Sequence, residues 1–190
     1  MGARPSLHLL GRLALLVDIG GGSTELVVGR GGVVSFFVSM QAGVVRQTER
    51  HLHHDPPHAG ELDALSAEVT ATIERSVPAD VRERVNGAVA VAGTATSAAA
   101  IDLALAPYDP AKVHGHTLTL DYLESELARL ASMPNAERRD VRGLHPDRAP
   151  TIVAGVVLLR QVLRAFGLQT VEVSEHDILR GAVLQRALTP

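Results

Sequence analysis

The sequence contains no cysteine and no tryptophan, and aromatic residues make up only 3% of its 190 residues. Without cysteine the chain can form no disulfide and has no thiolate nucleophile. This absence fits a reducing compartment, and we expect a cytoplasmic protein. With so few aromatic residues, the core must be built from Ala, Val, Leu and Ile.

The chain also lacks an excess of positive charge, since its formal net charge is −3. That balance argues against nucleic-acid partners and against a polybasic membrane anchor. The apolar run Ile152–Leu163 is too short to span a bilayer and is interrupted by Arg160. A hydrophobic fraction of 46% against 21% charged residues indicates a soluble globular protein with one sizeable core.

One glycine-rich stretch organises the sequence, Val17-Asp-Ile-Gly-Gly-Gly-Ser-Thr-Glu25, and apolar runs typical of strands flank it. Three consecutive glycines allow positive φ and leave no Cβ to block close approach, so the turn can aim several N–H groups at one anion. We expect the N–H groups of Gly20–Gly22 and the hydroxyls of Ser23 and Thr24 to bind phosphate.

Two acids flank these glycines, Asp18 before them and Glu25 after them. Carboxylate oxygens are the hard ligands that suit Mg²⁺ carried in with a phosphate. A plain glycine hairpin with solvated acids is the alternative. An acid on each side of the turn favours the phosphate and Mg²⁺ hypothesis.

Hydrophobic patterning predicts an α/β fold, with three strands in a meander and then strands alternating with helices in a mixed sheet. The predicted strands are Leu13–Ile19, Leu26–Val28, Val33–Val38, Ala88–Ala92 and Gln169–Val173. The predicted helices are Gly43–Leu52, Glu61–Val77, Ala98–Ala106, Asp121–Leu130, a short one after Met133 capped by Asn135, Ala149–Phe166 as the longest, and Ile178–Leu188.

Gly93-Thr-Ala-Thr-Ser97 lies between a predicted strand and a predicted helix, which is the layout of an anion site at a helix N-terminus. An ordinary Ser/Thr N-cap is the alternative.

His51-Leu-His-His-Asp-Pro-Pro-His58 crowds four histidines into eight residues. Its prolines and the lack of a second ligand cluster favour a solvated connector over a metal site.

Asp18-Ile-Gly-Gly-Gly-Ser-Thr-Glu25 resembles the second phosphate loop of the exopolyphosphatase/guanosine pentaphosphate phosphatase (Ppx/GppA) family, within the actin/Hsp70/sugar-kinase superfamily. Val91-Ala-Gly-Thr-Ala-Thr-Ser97 is similar to the family's second glycine loop, which favours a role of Gly93 and Thr94 in the site. Further similar stretches are Ser39-Met-Gln-Ala-Gly-Val-Val-Arg46, His53-His-Asp-Pro, Tyr108-Asp-Pro and His145-Pro-Asp-Arg148.

The resemblance implies a ribonuclease-H-like, actin-like lobe over residues 13–190, preceded by an irregular lead-in at 1–12. It also implies Mg²⁺ held by Asp18 and Glu25, and terminal phosphate released from polyphosphate or guanosine pentaphosphate. Arg46 and Arg148 match family arginines near the cleft, although surface arginines are an equal alternative.

Family members have two lobes, and their catalytic glutamate lies just ahead of the loop matched by Asp18–Glu25. None of Met1–Val17 is acidic, so the chain resembles the second lobe alone and we expect little catalysis without the first. Exposed cleft walls would then favour a homodimer. Two alternatives are a nucleotide binder that shares only the superfamily loop, and a module that binds phosphates without cleaving them.

Overall fold

The computed structural model describes residues 12–175. Within them the elements are β1 Ala14–Ile19, β2 Thr24–Arg30, β3 Val33–Met40, α1 Val44–His51, α2 Ala59–Ser76, α3 Ala79–Arg84, β4 Ala88–Val91, α4 Ala92–Asp102, α5 Pro110–Val113, β5 Thr117–Thr119, α6 Leu120–Ala131, α7 Asn135–Arg138, α8 Ile152–Ala165 and β6 Thr170–Val173. A 3₁₀ turn, Pro146–Arg148, precedes α8. No helix in this range is both long and apolar enough to cross a membrane.

The six strands form one mixed sheet in the order β3-β2-β1-β4-β6-β5. Strands β1, β2 and β3 are an antiparallel meander, whereas β1, β4 and β6 run parallel. Because parallel strands end at the same edge of a sheet, the residues after β1, β4 and β6 lie side by side. A ligand crevice is expected at this edge.

Helix α8 is the centre of the helical layer and packs against α1, α2, α4 and α6. Its Val153, Val157 and Leu158 are completely buried. Helix α2 faces it through Leu65, Val69 and Ile73, whose i, i+4, i+8 spacing places them on one side of the helix. The core is therefore mainly aliphatic, as expected, although Phe166 and Met40 are also buried in it.

The strands alternate between the helical layer and the opposite face of the sheet. On β1, Leu15, Val17 and Ile19 are buried, whereas Leu16 and Asp18 are half-buried. Leu16 pairs with Val27, and Val27 with Phe37, which is 60% exposed. This row of apolar side chains therefore lies on the face away from the helices.

The structure corrects several local predictions. Helix α2, with 18 residues, is longer than α8, with 14. The N-cap position of α7 is occupied by Pro134 and not by Asn135, which is the first helical residue. The backbone N–H of Asn135 donates to the Asp55 carboxylate. Helices α3 and α5 were not predicted, and the predicted helix Ile178–Leu188 lies outside the described residues.

Candidate phosphate and metal site

The glycine turn joins β1 to β2 as a tight hairpin. The Gly20 N–H donates to the Ser23 carbonyl at 2.9 Å, which closes the turn and leaves Gly21 and Gly22 exposed at its tip. The expectation that Gly20 offers its N–H to phosphate is therefore wrong in this conformation. Only the tip glycines remain as candidates for backbone donation.

The carbonyls of the same turn point to the start of α1. The Val44 N–H donates to Gly20, and the N–H groups of Val45 and Arg46 donate to Gly21, at 2.9 to 3.3 Å. These are N–H groups that a helix cannot satisfy internally. The turn therefore caps α1, so it is braced by a helix.

Arg46 lies beside this turn, as predicted, but its contact is with the backbone. Its Nε donates to the Gly22 carbonyl at 3.1 Å and its second guanidinium nitrogen to Gln41 at 3.3 Å. The side chain is exposed. Arg46 thus holds the tip of the turn and adds a positive charge next to it.

The two hydroxyls of the motif have different surroundings. Thr24 is completely buried and donates to the Ala42 carbonyl at 2.6 Å. The prediction that Thr24 binds phosphate is wrong, because its hydroxyl links the hairpin to the segment before α1. Ser23 donates to Glu25 Oε1 at 2.7 Å, so it orients a carboxylate.

Asp18 and Glu25 are directly opposed across β1 and β2. The Glu25 strand position is in turn paired with Ser39 on β3, whose hydroxyl donates to Glu25 Oε1 at 2.6 Å. Both acids are half-buried, on the sheet face away from the helices. The structure therefore brings the two predicted metal ligands together at the rim of the glycine turn.

The second predicted loop is helical. Helix α4 begins at Ala92, directly after β4, so Gly93–Ser97 form its first turns. Ala92 has a φ of +63°, a left-handed conformation that costs a residue with a Cβ about 1–2 kcal/mol. Among residues 12–175, no side-chain cap is formed at the start of α4. The first backbone N–H groups of α4 are therefore candidate donors to an anion.

Thr94 does not face the site. Its side chain is 4% exposed, its Oγ1 lies 3.5 Å from the Ile19 carbonyl, and its methyl group packs against Gly155 of α8. The Thr94 side chain is therefore unavailable to a phosphate in this conformation, and the predicted role of Thr94 can be carried only by its backbone N–H. Thr94 instead fixes the start of α4 against β1 and α8.

Gly93 and Arg148 do lie together, as predicted. A Cβ built on Gly93 would come within 2.0 Å of the guanidinium nitrogens of Arg148. Glycine is thus required for the guanidinium to reach the start of α4. Arg148 comes from the 3₁₀ turn before α8 and is exposed.

Tyr108 also belongs to this cluster, although the sequence did not identify it as a site residue. Its hydroxyl donates to Glu175, just after β6. Partial burial and then this hydrogen bond raise the pKa of Tyr108 to about 12, while Thr96 and Arg148 act in the opposite direction. The position of Glu175 after a parallel strand is the signal that could have identified the pair.

A cleft of about 1140 Å³ opens at this edge of the sheet. Its lining includes Gly20, Gly21, Gly93, Thr96, Tyr108 and Arg148. Asp18 and Glu25 are not in that lining, because they lie on the other face of the sheet. The glycine turn borders both groups, so an anion at its tip can be shared between them.

We expect Gly93→Ala to displace Arg148 without unfolding the chain. The displaced group is the end of a flexible, exposed side chain, so the unfolding temperature should change little. Loss of one charge-assisted hydrogen bond of about 1.5–3 kcal/mol should weaken tripolyphosphate binding roughly tenfold or more, measured by calorimetry. Arg148→Ala should weaken tripolyphosphate binding as much as Gly93→Ala does. Gly60→Ala is the control, because a Cβ on Gly60 meets no described residue within 4 Å. An Arg148→Ala variant that binds tripolyphosphate as tightly as the wild type would contradict the role of Arg148 in phosphate binding.

Comparison with known proteins identifies the family to which the chain is similar. The family model described as "Ppx/GppA phosphatase family" matches residues 1–189. Exopolyphosphatase 2 of Mycobacterium tuberculosis is 34% identical over 190 residues, covering 98% of this chain and 59% of that protein. The bifunctional 3-dehydroquinate synthase/phosphatase of Fusobacterium nucleatum is 30% identical and is covered over 26% of its length.

The solved structure of the Aquifex aeolicus PPX-GPPA enzyme superposes with a TM-score of 0.85 at 33% identity, covering 94% of this chain and 58% of that one. The expected actin-like fold is thereby confirmed. The chain spans about 59% of the length of the M. tuberculosis relative. With a family model over nearly the whole chain and a matching fold, this chain belongs to the Ppx/GppA phosphatase family.

Proposed function

We propose that this chain is the second lobe of a Mg²⁺-dependent hydrolase that releases terminal phosphate from polyphosphate or guanosine pentaphosphate. The observation that carries the proposal is the direct cross-strand pairing of Asp18 with Glu25 beside the glycine turn. M. tuberculosis Exopolyphosphatase 2, by its name, acts on polyphosphate. Because the chain belongs to the same family, we propose polyphosphate as a substrate class for it too.

The donor set fits Mg²⁺. Two carboxylates on adjacent strands supply hard oxygen ligands, and Mg²⁺ is commonly held by one or two carboxylates together with substrate phosphates and water. Ser23 and Ser39 both donate to one oxygen of Glu25, which fixes the orientation of that carboxylate. When bound, the ion would neutralise charge on the phosphate.

The remaining residues would bind and orient the substrate. The N–H groups at the turn tip and at the start of α4 favour an anion between them. Arg148 and Arg46 add positive charge on either side of the turn. Fixed donors of this kind stabilise the charge that develops on a transferring phosphoryl group.

We further propose that a first lobe, outside these 190 residues, supplies the glutamate that takes the proton of the attacking water. A homodimer and a cytoplasmic location also remain predictions. Val45 is an exposed apolar residue of the cleft lining, which is where the dimer prediction places the contact.

Phosphate release from polyphosphate with Mg²⁺ tests this proposal. We expect no release by the 190-residue chain alone, Mg²⁺-dependent binding of polyphosphate by that chain, and release by a two-lobed version. Binding without release in both forms would instead favour a non-catalytic phosphate-binding module. Release by the chain alone that is abolished by Glu25→Gln would mean that the site is complete without a first lobe.

A further inference from the structure

The connector before α2 brings three metal-ligating side chains together, away from the phosphate site. The candidate ligand atoms of His54, His58 and Glu61 all lie within 4.8 Å of one another. His54 Nδ1 is 2.9 Å from Glu61 Oε1, and the two imidazole rings are stacked with centroids 3.8 Å apart. The connector is exposed, as expected from the sequence, and it also holds these three side chains close together. We propose that this cluster binds a divalent transition-metal ion such as Zn²⁺.

The cluster is ordered by the protein itself. Glu61 Oε1 accepts the backbone N–H of His53 and Oε2 that of His58, both at 2.8 Å. The Glu61 side chain is only 14% exposed, whereas His54 is 56% exposed. A fixed carboxylate with two adjustable imidazoles is a donor set that a metal ion can complete without refolding the connector.

The connector is also tied to the rest of the chain through Asp55. Its carboxylate accepts from the Arg138 guanidinium at 2.6 Å and from the Asn135 N–H at 2.8 Å. Arg138 is 4% exposed and also donates to the Ala149 carbonyl at 3.2 Å. The loop between His54 and His58 thus has a fixed path before any metal binds.

The charges of the cluster favour a cation. The Glu61 carboxylate accepts two backbone N–H groups, from His53 and His58, and such donors stabilise its negative charge. The negative charge of Glu61 also offsets the positive end of the helix dipole at the start of α2, which by itself disfavours a cation.

The ligand types select the ion. Two imidazoles and one carboxylate with an open fourth position suit Zn²⁺, whereas Mg²⁺ and Ca²⁺ prefer oxygen ligands. Ligand atoms around tetrahedral Zn²⁺ lie roughly 3.3 Å apart at the usual bond lengths. The ligand atoms of the cluster lie within 4.8 Å of one another, and the two imidazoles are exposed, so binding calls for a rearrangement of these side chains. The site therefore differs in chemistry from the all-oxygen pair Asp18 and Glu25.

Zn²⁺ titration of the tag-free, chelator-treated chain tests this site. We expect one Zn²⁺ per chain by calorimetry, a Co²⁺ absorption spectrum of tetrahedral type, and a higher unfolding temperature with Zn²⁺. His54→Gln and His58→Asn should each weaken Zn²⁺ binding more than about tenfold. Asn is chosen at position 58 because His58 is the N-cap residue of α2 and Asn is itself a favourable N-cap. The matched control is His53→Gln, an exposed histidine of the same loop outside the cluster.

Unfolding temperatures measured without metal establish that the variants are folded. Unchanged Zn²⁺ affinity in both cluster variants, or no saturable binding and no Co²⁺ spectrum in the wild-type chain, would overturn the proposal. Equal loss in His53→Gln would overturn the three-ligand assignment. Mg²⁺ in large excess should not compete, and competition by Mg²⁺ would contradict the choice of a transition metal.

Discussion

Asp18→Asn and Glu25→Gln should each lower Mg²⁺-dependent phosphate release by about 10²–10³-fold in the two-lobed enzyme. Removing one preorganised electrostatic contact to a transition state typically has an effect of that size. Gln at position 25 keeps an oxygen that accepts the hydroxyls of Ser23 and Ser39, so the geometry persists while the charge is lost. The measurement is the initial rate of release as a function of Mg²⁺ concentration.

The same series contains its own controls. Ser39→Ala leaves both carboxylates in place and removes one group that orients Glu25, so we expect a smaller loss, about tenfold. Glu74→Gln removes an exposed carboxylate of α2 and should leave the rate unchanged. All variants should unfold near the wild-type temperature. Unchanged rates in both Asp18→Asn and Glu25→Gln would contradict the metal assignment.

The pairing of these two acids follows from the sequence alone. A four-residue turn, Gly20–Ser23, places Ile19 opposite Thr24 and therefore Asp18 opposite Glu25. The inward direction of Thr24 also follows, because side chains alternate along a strand and Glu25 faces outward with Asp18. The prediction of phosphate binding by the Thr24 hydroxyl failed because β2 begins at Thr24, two residues before the predicted strand Leu26–Val28.

The start of α4 could not be predicted from local preference. Gly, Thr and Ser are weak helix formers, and the sequence indicated a loop over Gly93–Ser97. Tertiary packing decides otherwise: Ala95 and Ser97 are buried, and Thr94 packs against Gly155, which is 61 residues away in the sequence. The contact of Asp55 with Arg138 is equally non-local. Contacts of this kind leave no signal in a single sequence.

Gly43→Ala should be the substitution in this region that most destabilises the fold. A Cβ at position 43 would lie 2.4 Å from the backbone carbonyl group of Gly21. The new Cβ and the backbone atoms that it meets cannot rotate out of the way as the end of a side chain can. The glycine turn and the start of α1 must therefore move apart. Overpacking of this kind costs about 1–3 kcal/mol. For a chain of this size that lowers the unfolding temperature by roughly 2–12 °C, measured by calorimetry.

Gly22→Ala is the matched stability control for Gly43→Ala, because Gly22 lies in the turn that Gly43 contacts and a Cβ on it meets no described residue within 4 Å. We expect its unfolding temperature to stay within a degree or two of the wild type. Separation of the turn from α1 also breaks the bonds from Val44 and Val45 to the turn carbonyls. Gly43→Ala should therefore weaken phosphate binding even at temperatures where it is folded, whereas Gly60→Ala, which lies outside the phosphate site, should not. If Gly43→Ala is as stable as Gly22→Ala, the turn is not braced by α1, and the rigidity that the proposed phosphate site requires must come from another part of the protein.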